Sequence, residues 1–158
     1  MNGLPFVYPY YQEEHLRRGR TVLRPVVILS IGDAAVIVDA LVDTGCEHVL
    51  ADSLLAEAAG IDLSDPIDTE EIGIGGSFVD ARFVQVTAYL QPPGGALGIK
   101  PISWTLDVGF IDDWRPLYPC LLGNVGFLDQ FTVTTSRHAQ AIAIEPRETF
   151  DHRFGSGQ

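Results

Sequence analysis

Residues 40–46 read Ala-Leu-Val-Asp-Thr-Gly-Cys, an apolar run that ends abruptly in a carboxylate, a hydroxyl and a glycine. Apolar runs of this kind are typical of buried strands, and Asp-Thr-Gly at the end of one predicts a tight turn. A carboxylate that leaves a hydrophobic strand is partly withdrawn from water, which favours its protonated form. Asp43 is therefore a candidate acid or base, although a turn residue with a purely structural role would look the same.

The overall composition limits the classes of partner. The chain has 158 residues, of which 46% are hydrophobic and 20% are charged, which suits a single domain with a hydrophobic core. Its formal net charge is −11. Nucleic acids and anionic membranes both attract basic surfaces, so this charge argues against either partner. A peptide partner is compatible with it.

The cysteines and histidines of the sequence indicate neither a set of structural disulfide bonds nor a metal site. Cys46 and Cys120 are too few and too far apart in the sequence to make a disulfide framework. The four histidines are isolated from one another and from the cysteines, so we expect no metal, no cofactor and histidine side chains at the surface. The sequence shows neither a signal peptide nor an apolar stretch long enough for a membrane span, and it predicts a cytoplasmic protein.

Short apolar runs rich in Val, Ile and Thr, separated by glycine and proline, predict a mainly β fold. Many short strands with few helices are typical of a closed or sandwiched barrel. The first hairpin is predicted to turn at Gly32 and Asp33. The predicted strands are residues 25–31, 34–42, 48–51, 79–90, 99–110, 131–134 and 139–144.

Two short helices are predicted within this β framework. Residues 54–59 have helical composition, with Asp52 or Ser53 as the N-cap and Gly60 at the end. Residues 125–130 are the second predicted helix.

Residues 71–79 read Glu-Ile-Gly-Ile-Gly-Gly-Ser-Phe-Val, which places three glycines near the tip of a predicted long hairpin. The second arm, residues 79–90, begins with the alternation of apolar and polar side chains that a half-buried strand requires. The glycines make the tip mobile, while Ile74 and Phe78 give it an apolar surface. No lysine and no helix follow the glycines, so a phosphate-binding loop is disfavoured.

Leu-Leu-Gly-Asn at residues 121–124 is a second apolar run that ends in glycine. Together with Asp-Thr-Gly at residues 43–45 and the glycine-rich hairpin, in this order and at these distances, it resembles the retropepsin-like aspartic proteases. The resemblance covers roughly residues 26–144. It implies a closed barrel of the acid-protease type, with a flap hairpin and one or two short helices.

The resemblance also implies an activity and a site. The protein would be an aspartic endopeptidase in which two copies each supply one aspartate, Asp43, to activate a water against an extended peptide. Thr44 would join the two loops across the two-fold axis, and Gly45 would let the backbone approach the substrate. The implied substrate-binding residues are Cys46, Glu47, Ile74, Gly75, Gly76, Pro119 and Leu121.

This chain departs from the family pattern at Cys46, where Ala, Ser or Thr is usual. The thiol is close in size to serine, but it places an oxidisable group beside the catalytic pair. The chain also lacks a second catalytic triplet, because its nearest imitation, Asp107-Val108-Gly109, has no hydroxyl. A homodimer is therefore expected.

The predicted domain organisation has three parts. Residues 24–146 form the protease domain, residues 1–23 an N-terminal extension and residues 147–158 a flexible, frayed tail. We expect the extension to be loosely held, and the alternative is an arm that packs on a partner subunit through its tyrosines.

Two other functions stay open at this point. The same fold could serve as a dimeric peptide-binding or scaffolding module with an inactive site. Alternatively, Cys46 could be a nucleophile with His48 as its base, although no orienting group or oxyanion hole is evident.

Overall fold

The computed structural model describes residues 5–15, 19–32 and 36–155 and consists mainly of strands. It contains two α-helices, α1 (Ser53–Ala58) and α2 (Arg147–Phe154), and a short 3-10 turn at Pro93–Gly95. None of the helices in these ranges is long and apolar enough to cross a membrane. The strands are β1 (Phe6–Pro9), β2 (Tyr11–His15), β3 (Arg20–Arg24), β4 (Val26–Ile31), β5 (Val36–Val42), β6 (Val49–Asp52), β7 (Asp68–Ile74), β8 (Ser77–Leu90), β9 (Ile102–Ile111), β10 (Cys120–Leu122), β11 (Phe131–Ser136) and β12 (Ala141–Pro146).

Six strands close into a barrel. They are neighbours in the order β4, β5, β10, β6, β9 and β8, and β8 also pairs with β4 to complete the ring. Strand β7 lies outside the ring and pairs with the first half of β8 as a long hairpin. The predicted mainly β closed barrel and the predicted glycine-rich hairpin are therefore confirmed. Of the turn predicted at Gly32 and Asp33, residues 33–35 lie outside the described residues, but β4 and β5 pair antiparallel as expected.

Strand β10 lies between β5 and β6, parallel to the first and antiparallel to the second. The connection from β5 to β6, residues 43–48, must therefore pass the end of β10. Leu122 stands opposite Val42 in the parallel register, so the chain leaves β5 and β10 at the same end of the barrel. This topology brings the Asp-Thr-Gly turn and the Leu-Leu-Gly-Asn turn together.

The barrel is filled by the apolar faces of its strands. On β8, the buried side chains Ala81 and Phe83 alternate with half-buried ones, as the sequence pattern predicts. The alternation resumes at Val86, Ala88 and Leu90 after a shift of one residue. Phe110 and Phe127 are the largest fully buried side chains. Helix α1 begins as predicted, because the Asp52 side chain accepts a hydrogen bond from the backbone N–H of Leu54 at 3.0 Å.

The expectation of a loosely held N-terminal extension is wrong for the residues that the structure describes. Strand β1 pairs antiparallel with β12, and Phe6 and Tyr8 are buried in the main core. Strands β2 and β3 form a hairpin, on which Tyr11 packs edge-on against Tyr118 of the same chain. The tyrosines thus make intramolecular contacts, and the alternation of buried and exposed residues in β1 explains the pairing.

Two expectations near the C-terminal half also need correction. Residues 147–154 form helix α2 instead of a frayed tail. Residues 125–130 form a series of turns instead of a helix. The backbone N–H groups of Leu128 and Asp129 donate to carbonyls five residues back, and Gly126 has a φ of 100°, which a right-handed helix cannot contain.

Candidate active site

Strand β5 delivers Asp43 to the open end of the barrel. The backbone N–H of Asp43 donates to the Leu122 carbonyl at 3.0 Å, which continues the pairing of β5 with β10 by one residue. The Asp43 side chain is half-buried, whereas Thr44 and Gly45 are exposed. The carboxylate therefore lies at the boundary between the barrel and solvent, on a backbone that the sheet holds in place.

The turn itself orients the carboxylate. The N–H of Cys46 donates to the Asp43 carbonyl at 3.1 Å, which closes the predicted tight turn. The N–H of Gly45 donates to Asp43 Oδ1 at 3.0 Å. Within the described residues, no group donates a hydrogen bond to Oδ2. One carboxylate oxygen is thus fixed and the other is available to a water or to a second carboxyl group.

The Leu-Leu-Gly-Asn turn, residues 121–124, braces this loop through hydrogen bonds and close backbone contact. The Asn124 side chain donates from Nδ2 to the carbonyls of Thr44 at 3.2 Å and Cys46 at 3.0 Å, and its backbone N–H also donates to the Cys46 carbonyl at 2.9 Å. Gly123 lies so close that an added Cβ would be 2.2 Å from the His48 carbonyl oxygen. The two motifs, far apart in the sequence, therefore form one rigid unit.

The hairpin of β7 and β8 faces the loop across a cleft of about 300 Å³. Gly75 and Gly76 form its tip with φ values of 58° and 82°, the conformation that a two-residue hairpin turn requires. Beyond the tip, Phe78 is 76% exposed. The residues that line the cleft are Gly45, Cys46, Glu47, His48, Leu50, Glu71, Ile72 and Gly73.

A small apolar cluster lies beside the cleft and links its two walls. Its buried members include Leu50 and Phe83. Cys46 from the loop packs against this cluster, as do Ile72 and Ile74 from the hairpin. The apolar residues of the hairpin therefore pack on the same cluster as the residue that follows Asp-Thr-Gly.

The Cys46 thiol is in a structural setting. Its Sγ–H donates to the His48 carbonyl at 3.1 Å. Burial raises the pKa of the Cys46 thiol above its ordinary value; the His48 backbone opposes this with a weaker effect, and the carboxylates of Asp43 and Glu47 raise the pKa further. The thiolate is therefore disfavoured, and the imidazole of His48 is not the group that the thiol contacts. Both observations count against a thiol nucleophile.

The expectation that His48 is a surface group is wrong. Its side chain is only 23% exposed, and Nε2 lies 3.4 Å from Glu70 Oε2. Its ring packs edge-on against Phe83, with the centroids 5.0 Å apart. Glu70 was not among the predicted site residues, because only the folded hairpin brings it to the loop.

The other predicted substrate-binding residues are not among those that line this cleft. Pro119 is half-buried, and its carbonyl accepts a hydrogen bond from Asp52. Leu121 is buried on β10 opposite Leu50. Ile74, Gly75 and Gly76 are at or next to the hairpin tip, beyond the residues that line the cleft. Of the predicted substrate-binding residues, only Cys46 and Glu47 line the cleft directly.

Asp107, the aspartate of the Asp-Val-Gly sequence at residues 107–109, is not part of this site. It lies within β9 opposite Gln85, and its side chain is exposed. Among the described residues there is no group of three or more His, Cys, Asp or Glu side chains arranged to hold a metal ion. Asp43 is thus the aspartate of the one Asp-Thr-Gly sequence in the chain, and it stands two residues before Gly45, where the part of the loop that lines the cleft begins.

The fold defined by this barrel and hairpin is retropepsin-like. Among solved structures, the chain is similar to a retropepsin-like aspartic protease from Rickettsia conorii, with a TM-score of 0.55 and 16% sequence identity over 92% of each chain. This likeness shows the fold. No protein-family model matches the chain, and no curated protein matches it.

Proposed function

We propose that the protein is an aspartic peptidase that acts as a homodimer, with Asp43 from each subunit in one shared site. The position of Asp43 supports this most directly. Its carboxylate accepts the Gly45 N–H on one oxygen, has no donor on the other among the described residues, and stands on a braced turn beside the cleft. This is the arrangement that a carboxylate needs in order to hold and activate a water.

The proposed chemistry is the proton sharing of a carboxylate pair, as in aspartic proteases generally. Two carboxyl groups about 3 Å apart cannot both ionise, so they share one proton. The ionised Asp43 takes a proton from a water held between the two, and the water oxygen bonds to the peptide carbon. The protonated Asp43 donates to the carbonyl oxygen. When the carbon–nitrogen bond breaks, the amine leaves with a proton from the pair, while a hydroxyl group of the tetrahedral intermediate returns its proton to the pair as the new carboxyl group forms. No covalent bond to the protein forms at any step.

The remaining site residues have proposed roles around this centre. Thr44 is exposed beside Asp43 and would hydrogen-bond to the partner's loop. Gly45 leaves room for an extended peptide, which would lie in the cleft against Cys46 and Glu47. Ile74, Gly75 and Gly76 would close over the peptide as a lid. Pro119 and Leu121 do not line the cleft of a single chain. A role for them in binding substrate side chains therefore stays a prediction from the sequence.

A second copy is proposed on the other side of the Asp-Thr-Gly turn. Thr44 and Val42 line a concave region of about 570 Å³, away from the hairpin, together with apolar side chains such as Leu128 and Val133. A two-fold axis beside Thr44 would bring the two Asp43 carboxylates together. The expected cytoplasmic location, and the expected lack of nucleic-acid and membrane partners, stay predictions from the sequence.

The test compares Asp43→Asn with Asp107→Asn in a peptide-library cleavage assay at acidic and neutral pH. Asp107→Asn is the matched control, because it makes the same change at an exposed strand position. We expect cleavage by the wild type and by Asp107→Asn but none by Asp43→Asn, with the dimer intact in all three by ultracentrifugation.

Two results would overturn the proposal. Cleavage that survives Asp43→Asn and disappears in Cys46→Ala would assign the chemistry to the thiol. A wild-type dimer that binds library peptides but cleaves none would favour the inactive peptide-binding module.

A further inference from the structure

His48 connects the Asp-Thr-Gly loop to three other parts of the fold. Its carbonyl accepts the Cys46 thiol, and its backbone forms a bridge with Val125. Its ring packs against Phe83 on β8, and Nε2 contacts the carboxylate of Glu70 on β7. The His48 side chain therefore contacts both strands of the hairpin.

The contact between His48 and Glu70 lies at one end of the cleft. The cleft runs between residues 45–48 on one wall and residues 71–73 on the other. Glu70 precedes the lining part of β7 and lies toward the base of the hairpin, whereas the flap tip follows at the other end. The pair therefore joins the two walls at the base, and the end toward the tip is left without such a tie.

The neighbouring charges do not provide a second polar tie. Glu47 and Glu71 line the cleft, are exposed, and form no ion pair within the described part of the chain. Asp80 stands opposite Glu71 on β8 and is also exposed. Arg82 forms an ion pair with Asp112 at 2.8 Å. Arg82 stands on β8 between Ala81 and Phe83, whose side chains are buried, so its own side chain lies on the opposite face of the strand. Among residues 5–15, 19–32 and 36–155, the one polar side-chain contact between the loop and the hairpin is thus His48 with Glu70.

From this geometry we propose that His48 and Glu70 are positioning residues, which hold β7 at a fixed distance from the Asp-Thr-Gly loop so that an extended peptide fits between them. This inference rests on the proposed peptidase function and deepens it. The pair touches neither Asp43 nor the reacting atoms. It should therefore act on peptide binding and on the motion of the hairpin, while the chemical step is unaffected.

The first test measures the hairpin without any substrate. Amide hydrogen exchange of residues 71–77 is compared in the wild type, Glu70→Gln and His48→Gln. Partly exposed polar contacts contribute modestly, so we expect exchange to rise about two- to fivefold in each variant, with no further rise in the double variant. Asp112→Asn is the matched control, because it breaks the ion pair with Arg82 on β8 and leaves the contact between His48 and Glu70 intact.

The second test separates binding from chemistry. With a cleaved peptide from the library, Glu70→Gln should raise KM about two- to fivefold and leave kcat within about twofold of the wild type. Glu70→Asp, which keeps the charge, should restore part of the loss. Unchanged exchange in Glu70→Gln, or a loss of kcat at constant KM, would overturn the inference. If no peptide is cleaved, the proposed function fails, while the exchange measurement still decides whether the pair positions the hairpin.

Discussion

Replacing Gly123 with Ala tests the contact on which the geometry of the site depends. The added Cβ would lie 2.2 Å from the His48 carbonyl oxygen and 2.5 Å from the Cys46 carbonyl oxygen. Ordinary contacts of a Cβ begin at 3.4 Å, so the loop must move by roughly 1 Å. Both obstructing atoms belong to the backbone, and no side-chain rotation can relieve the clash.

The expected loss in the free energy of unfolding follows from the hydrogen bonds that this movement of the loop would break. The Cys46 carbonyl accepts two hydrogen bonds from Asn124, at 2.9 and 3.0 Å, and each contributes about 0.5–1.5 kcal/mol. Overpacking adds about 1–3 kcal/mol. We therefore expect Gly123→Ala to lower the free energy of unfolding by about 3 kcal/mol, which corresponds to a fall in Tm of about 6–12 °C for a chain of this size.

Urea denaturation followed by tryptophan fluorescence measures this change, and Gly73→Ala is the control. An added Cβ at Gly73 would meet Phe78 at 3.6 Å, an ordinary contact, so its free energy of unfolding should stay within about 0.5 kcal/mol of the wild type. If Gly123→Ala were as stable as Gly73→Ala, the Leu-Leu-Gly-Asn turn would not brace the loop, and the account of the site would be refuted.

Three further predictions concern the loop and helix α1. Asn124→Ala removes both side-chain hydrogen bonds to the loop and should cost about 1–3 kcal/mol in urea denaturation; a change below about 0.5 kcal/mol would contradict the bracing role. The Cys46 thiol should react with iodoacetamide more slowly at neutral pH than an exposed cysteine, because its pKa is raised; mass spectrometry of labelled peptides would reveal fast labelling if this is wrong. Asp52→Ala should lower the free energy of unfolding by about 1 kcal/mol through loss of the α1 cap, and Asp52→Asn should not; equal effects would argue against capping.

Local rules explain the parts of the fold that the sequence could predict. The apolar runs of β4 and β5, and the alternation of β8, follow from burial on one or both faces of a barrel. The glycine pair at the hairpin tip requires positive φ, which glycine alone adopts without strain. Asp52 is a good N-cap wherever an apolar helical segment follows it. These features depend on neighbours in the sequence, and so they are visible without a structure.

The features that were missed depend on partners far away in the chain. Residues 125–130 have helical spacing, but Val125 bridges to His48 and the following N–H groups bond five residues back. The pairing of His48 with Glu70 exists only because the hairpin folds over the loop. Strand β1 buries Phe6 and Tyr8, but its sequence does not alternate between apolar and polar residues, and its partner β12 lies at the opposite end of the chain.

The C-terminal helix could have been predicted from its charges. Helix α2 carries Glu148 in its first turn and His152 and Arg153 in its last turn, which is the arrangement that the helix dipole favours. Its polar composition indicated a tail, because few apolar side chains are available for packing.

The site residues were easier to predict than their contacts. Asp43 and Gly123 stand out in the sequence, whereas their mutual approach needs the parallel pairing of β5 with β10.

A subunit-mixing measurement tests most directly whether two Asp43 carboxylates from two chains form one site. Wild-type chains are mixed with increasing amounts of Asp43→Asn chains under conditions that let subunits exchange, and peptide cleavage per wild-type chain is recorded. If mixed dimers with one carboxylate are inactive, this activity should fall to about half in an equal mixture and to about a tenth at a ninefold excess of the variant. Activity per wild-type chain that stays constant at every ratio would contradict the shared site.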